Sequence, residues 1–244
     1  MKKLFTVLAV LLVATALFAG ATVKAGGTFA FANINTATDD EVEESANIKA
    51  HGFGFDVGAQ YDIADNLAVY AEFAMVFPKD ATLSEDGGSV SLSDFVKDGD
   101  EDIVADPDVA TYKINFFSIS AGVVYKLDFN AVKLAVGGGL TLNRAAAPIH
   151  WVYEDLIGGD EDLEIDVKQT YLNIGLNALV DAKYMFTENI GAGVTLNPQL
   201  GLYNISKATF KSSVDPNASA QDTTLKGFKV SFAMPITVGV SYTF

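Results

Sequence analysis

Cysteine is absent from this chain. That excludes a disulfide framework and a lipid anchor carried on a cysteine thiol. Histidine is nearly absent, with His51 and His150 alone to serve metal or acid-base chemistry. His51 lies in His51-Gly52-Phe53-Gly54 with no serine neighbour on its face, and His150 stands beside Trp151. Neither makes a local nucleophile-base pair, so no enzymatic activity is expected. Half of the 244 residues are hydrophobic and mean hydropathy is +0.25, yet no apolar stretch after residue 21 is long enough for a membrane helix. Basic residues are also scarce, 16 against 31 acidic ones for a net charge of -15, a field that repels nucleic acid.

What is present is alternation. Apolar and small or polar residues alternate over segments of about ten residues or more, separated by turn residues, the pattern of strands that pair every backbone group where no water is available. Four segments end alike, at Tyr61-Asp62-Ile63, Tyr125-Lys126-Leu127, Tyr184-Met185-Phe186 and Tyr242-Thr243-Phe244. Three of them run into a tight polar turn, with Asn66, Asn130 and Asn189 each five residues after the tyrosine. A chain that returns repeatedly to one height reads as an up-and-down antiparallel β-barrel whose last strand closes on its first.

The N-terminus reads as an export signal. Lys2 and Lys3 precede an apolar run from Leu4 to Phe18, and Ala19-Gly20-Ala21 fits a small-residue cleavage pattern. Residues 1–21 are therefore expected to be removed, with Val23-Lys24-Ala25 a second possible cut, leaving 22–244 as a single barrel domain.

The expected strands are Gly27 to Asn35, Ile48 to Ile63, Leu67 to Phe77 with Pro78 ending the pairing, Thr111 to Leu127, Ala131 to Asn143, Lys168 to Phe186, Ile190 to Ile205 with an irregularity at Pro198, and a last strand ending at Phe244. That makes eight, with three short turns at one end and four longer loops at the other. Ten strands would require a hairpin within 83–96. Short turns are expected to face the periplasm and long loops the outside.

Parity separates the faces. Counting back from each tyrosine, one face is uniformly apolar, for example Ala59, Val57, Phe55 and Phe53. The other carries glycine, serine, threonine and a few charges, residues that suit the crowded interior of an eight-stranded barrel. The apolar face is therefore expected to meet lipid. Asp56, Glu72, Lys133, Asp181 and Lys183 fall toward the lumen, where charges should pair, either plugging the interior or lining a narrow wet path. Tyr61, Tyr125, Tyr184 and Tyr242 read as one interfacial girdle. Trp151 with Tyr153 or Tyr203 is assigned to the opposite rim.

With the signal segment, eight alternating strands and a terminal aromatic in place, the chain resembles the small outer-membrane barrels of the OmpX, OmpW and opacity-protein class. The resemblance implies the bacterial outer membrane and assembly by the machinery that reads the last strand, with Val238, Val240, Tyr242 and Phe244 as the signal. It implies no substrate, because barrels of this class differ in function.

Of the 31 acidic residues, 24 fall in the four longer connections. Such loops hold exposed segments in solution and concentrate cations. The runs containing Asp98, Asp100 and Asp102, and Asp160 and Asp162, are weak metal candidates, since neither has EF-hand spacing. No cofactor is expected. The expected role is a non-enzymatic barrel, monomeric, whose acidic loops meet an extracellular partner, outer-membrane lipids or divalent cations. The alternative is a narrow porin-like channel for ions or small, even hydrophobic, solutes.

Overall fold

The computed structural model describes residues 20–35, 47–85, 88–91, 109–112, 114–153, 163–212 and 221–244. Eleven strands form one antiparallel sheet: β1 Ala21–Asn35, β2 Asn47–Ala64, β3 Leu67–Glu85, β4 Gly88–Ser91, β5 Val109–Tyr112, β6 Asn115–Phe129, β7 Val132–Tyr153, β8 Leu163–Met185, β9 Ile190–Leu196, β10 Gln199–Ser212 and β11 Gln221–Thr243. β5 and β6 both pair with β7, and β9 and β10 both pair with β8 and β11, so each couple is one interrupted stave. Among the described residues β4 pairs with β3 alone, outside the ring. The ring therefore has eight staves, closed where β1 pairs with β11 from Thr22↔Thr243 to Asn33↔Phe232. The hairpin in the 83–96 region exists but extends β3 rather than adding staves.

Register fixes the barrel's width. From Lys24, pairing through Gly58, Glu72, Ser120 and Thr141 reaches Gly175 on β8, whereas pairing through Ser241 and Gly191 reaches Met185 on the same strand. The ring closes with a ten-residue stagger. For eight strands with ordinary spacing, that stagger implies a tilt of about 40° and a backbone radius of about 8 Å. Such a bore is filled by side chains.

The short turns follow local chemistry. Asn130 takes a positive φ of 61° in the turn from β6 to β7, a conformation asparagine tolerates better than most residues. Between β8 and β9, the Thr187 hydroxyl accepts the backbone N–H groups of Asn189 and Ile190 at 3.3 and 3.0 Å.

Several boundaries differ from those expected. β3 does not stop at Pro78: it continues to Glu85, because a bulge shifts the β2 register between Ala50 and Gly52 and leaves Pro78 opposite Gly52 at the irregularity. β7 continues past Asn143 to Tyr153, so His150 and Trp151 lie on a strand and not in a loop. β8 begins at Leu163, β10 extends to Ser212 and β11 begins at Gln221, each running further into an expected loop. Pro198 does interrupt its stave, but its carbonyl accepts the Ala178 N–H at 2.9 Å and pairing resumes.

These longer strands carry a change of polarity. Toward the turns the outer face is apolar, with Phe53, Ile119, Val123, Leu176, Val238 and Val240 exposed, while the inner face holds Asp56, Glu72, Ser120, Asn177, Asp181 and Thr237. Toward the loops the inner face becomes apolar: Ile34, Ile48, Ile149, Trp151, Tyr153, Ile165 and Tyr171 form one cluster. The outer face there carries Lys49, Lys168, Lys207 and Lys226, all exposed. A 23-residue strand such as β8 or β11, tilted about 40°, rises about 57 Å, roughly twice the ~25 Å apolar band of a membrane barrel. One barrel thus has a lipid-facing half and a water-facing half.

Asn130→Ala should destabilise the barrel by about 1 kcal/mol, the cost of a left-handed conformation in a residue with Cβ, while Asn130→Gly should be neutral. Urea unfolding of protein refolded into vesicles measures both.

Candidate functional site

The inner face of the lipid-facing half carries a layer of charged and amide side chains drawn from around the ring, beside a small apolar cluster of Ala68, Tyr70, Val124, Ala135 and Leu179. Lys24 on β1 reaches across to Glu72 on β3 in a buried ion pair, 9% and 3% exposed. Its ammonium also donates to Thr195 Oγ1 at 2.9 Å, and that hydroxyl donates to Asp181 Oδ1 at 3.0 Å. Asp181 Oδ2 accepts Gln60 Nε2 at 3.0 Å and pairs with Lys183 Nζ at 3.1 Å. The second Glu72 oxygen accepts Asn197 Nδ2 at 2.8 Å. Asn177 Nδ2 donates to Tyr70 Oη at 2.7 Å and to Asn197 Oδ1 at 2.8 Å. A deeper set, Ser118, Ser120, Thr141 and Gln199, joins through bonds of 3.1 to 3.4 Å.

The bridge depends on a glycine. A Cβ at Gly58 would lie 2.6 Å from Lys24 Cε and 3.3 Å from Glu72 Cγ. Gly58 is the cross-strand neighbour of both residues, so its missing side chain is the space through which the lysine crosses.

This layer nearly fills the bore. Beside Lys24, Asp181 and Ser241 the free volume is about 10 Å³, no more than one water. In the apolar half, the space among Ile48, Ile114, Ala147 and Tyr171 is about 20 Å³. Below the layer the lumen widens into a vestibule of about 300 Å³ open at the turn end, lined among others by Gln60, Asp62, Lys126, Lys133, Lys183 and Glu188. Three carboxylates, Asp56, Glu72 and Asp181, face two ammonium groups. Asp56 is the odd one: it is 3% exposed, and its Oδ1 has no hydrogen-bond partner among the described residues.

Of the lumen residues expected from sequence, the structure brings Glu72, Asp181 and Lys183 into this layer, with Asp56 buried in the field of Glu72, Lys24 and Asp181. Lys133 is placed elsewhere. It faces the vestibule and pairs with Asp128 at the turn end, where both are largely exposed. That bond holds the Asp128 carboxyl below its ordinary value. The register explains the difference: Lys133 is one residue from the strand's start, too low to reach the buried carboxylates. Lys24 was missed because the sequence there also reads as a cleavage site, and the alternation from Gly27 onward did not extend back to it.

Tyr61, Tyr125, Tyr184 and Tyr242 all stand outward near the turn end, exposed. Val238, Val240 and Phe244 also face outward on or just after β11. Trp151 and Tyr153 are not at the outer rim. Both are buried inside the apolar cluster, because pairing of β7 with β8 persists to Tyr153↔Leu163 and parity turns odd residues of β7 inward. Tyr203 does stand outside, its ring 5.1 Å from Phe228. His150 Nδ1 lies 2.8 Å from Asp166 Oδ1, and His51 stands near Phe29 at 6.3 Å between ring centroids. Asp98, Asp100, Asp102, Asp160 and Asp162 lie outside the described residues.

Residues 5–244 match the family described as outer membrane protein beta-barrel domain. The chain belongs to this family. It is a bacterial outer-membrane protein, with short turns and long connections at opposite ends of an eight-strand ring. The outer membrane protein OprG from Pseudomonas aeruginosa is similar in structure, with 13% identity, 93% of this chain and 96% of that chain covered, and a TM-score of 0.53. Neisserial surface protein A aligns at 18% identity, 93% and 98% coverage and a TM-score of 0.44. The outer membrane protease OmpT from Escherichia coli aligns at 10% identity, 92% and 96% coverage and a TM-score of 0.42. No curated protein sequence matches. At these identities the likeness concerns the fold and not the function.

Lys24→Met should destabilise this outer-membrane barrel by about 3–5 kcal/mol, because Glu72 is left buried without its counter-charge. The double change Lys24→Met with Glu72→Gln should recover most of that loss. Urea midpoints in vesicles measure both.

Proposed function

We propose that this protein is a non-conducting, non-enzymatic outer-membrane barrel whose interactions are made by its extramembrane half and its acidic connections. One observation carries this reading: Lys24, Glu72, Asp181 and Lys183 are joined across the lumen by ion pairs, and the free space beside them is about 10 Å³. Above it the apolar cluster acts as a second seal. The same arrangement gives the barrel a rigid interior, so that the strands rising beyond the membrane form a firm base for the loops. Those loops hold most of the chain's carboxylates, which suits contact with cations or with a basic partner rather than nucleic acid.

The absence of enzymatic activity is supported by where the histidines stand. His150 is held by Asp166 on the outer face and His51 rests near Phe29, so neither lies in the lumen among its charged side chains. A channel reading draws on the vestibule, which brings solvent up to Lys183, and on the surplus carboxylate at Asp56. The two differ in what a planar bilayer shows.

The refolded mature barrel should be electrically silent in a bilayer at about 1 M salt, where exposed charge is screened over about 3 Å. Lys24→Ala with Glu72→Ala should open brief conductances that favour cations, since Asp56 and Asp181 remain. Steady openings of the unaltered protein would overturn the sealed reading.

The same layer bears on processing. A cut after Ala25 would remove Lys24 and leave Glu72 buried without its cation, which favours the earlier cut near Ala21. The intact mass of protein extracted from outer membranes should therefore correspond to a chain that retains Lys24.

A further inference from the structure

One carboxylate of the lumen layer holds two side chains of complementary chemistry. Glu72 pairs through Oε1 with the Lys24 ammonium, and its Oε2 accepts the Asn197 Nδ2–H at 2.8 Å. A nitrogen nucleophile and an acyl group thus sit on the two oxygens of a single group that can move protons between them. Lys24 Nζ and Asn197 Cγ are therefore on the order of 5 Å apart, a gap that the flexible lysine stem can close by changing rotamer.

The surroundings suit an acyl transfer. Lys24, Glu72 and Asn197 are all buried, and the free space beside Lys24 is about 10 Å³. An ion pair is costly to hold in such a site, whereas transfer of a lysine proton to Glu72 leaves a neutral amine and a neutral acid. The Asn197 amide is held at both ends. Its Oδ1 accepts the Asn177 Nδ2–H at 2.8 Å, a donor for negative charge developing on that oxygen, and its Nδ2 also donates to Ser120 Oγ at 3.4 Å. The next residue, Pro198, has no backbone N–H, so loss of ammonia through attack by the following backbone nitrogen is closed to Asn197.

We propose that Lys24 and Asn197 become joined by an intramolecular amide bond, with Glu72 as the general acid-base. Glu72 takes one proton from the Lys24 ammonium, and the freed lone pair forms a bond to Asn197 Cγ. The Cγ–Nδ2 bond then breaks with its electron pair on nitrogen. That nitrogen takes a second lysine proton, relayed by Glu72, and leaves as ammonia through the vestibule below. Glu72 ends as a neutral acid, so one buried ion pair is replaced by an amide with no change in net charge and no oxidation or reduction. The bond ties β1 to the stave of β9 and β10 across β11, a covalent staple over the seam where the ring closes. It requires a mature chain that retains Lys24, and stands whether or not the lumen conducts.

The intact mass of the mature protein extracted from outer membranes, followed by protease mapping, tests this. The expected mass is one ammonia below that of the sequence, with a branched peptide joining Lys24 to Asn197. Lys24→Arg, which keeps the positive charge, and Glu72→Gln, which removes the proton acceptor, should each carry the full mass of their sequence. Heat-modifiable gel mobility confirms that each variant is folded. Full mass in the unaltered chain overturns the proposal whatever the variants do. So does a deficit that maps to another asparagine or persists in Lys24→Arg. A chain beginning after Ala25 overturns it as well, and its mass separates that case from a chain that keeps Lys24 unreacted.

Discussion

Backbone pairing is the constraint on which the rest of this structure depends. In hydrocarbon an unpaired N–H or C=O costs several kcal/mol, so the first and last strands must meet. β1 and β11 do so over twelve residue pairs, with a stagger of ten residues around the ring. Closure at that stagger fixes the bore, and the bore then limits what the inward side chains can be. Gly58 sits where Lys24 crosses to Glu72, and Ser120, Thr141 and Thr195 fill the remaining width with groups that can both donate and accept. A larger stagger would leave this layer as isolated pairs along a wet wall.

The second organising feature is that one ladder serves two solvents. Strand alternation is indifferent to which face is apolar, so the sign can reverse along a strand without any break in pairing. β8 shows it directly: Leu176 and Ile174 face out below, while Ile165 and Tyr171 face in above, with Lys168 outside. The lower half is held inside by hydrogen bonds and ion pairs beside a small apolar cluster at Val124 and Leu179, and outside by lipid. The upper half is held as a soluble barrel is, by an apolar interior. The reversal explains how strands of more than twenty residues stay paired well beyond the membrane.

Much of the lower half was legible in the sequence, because tyrosine-ended segments and strict alternation are local signals. The eight strands, the three tight turns with their asparagines and the lipid-facing set all follow from them. The upper half was hidden by the same rule. Once Arg144 and Pro148 interrupt the apolar set on β7, the alternation no longer reads as lipid-facing, and the segment holding His150 and Trp151 reads as a loop although its pairing with β8 is continuous. Pro78 misled for a related reason, since the bulge beside it, where three steps of β3 from Pro78 to Ala81 match two of β2, is a property of two strands side by side and not of either alone.

Sequence by itself determined the architecture, the parity of each strand and the membrane setting, because a period of two and turn chemistry act over neighbouring residues. It also placed Asp56, Glu72, Asp181 and Lys183 toward the lumen. Tertiary structure alone decided which charges meet: Lys24 with Glu72, 48 residues away, and Lys133 with Asp128 at the mouth. Partners across a barrel depend on tilt and stagger, which belong to the closed ring as a whole.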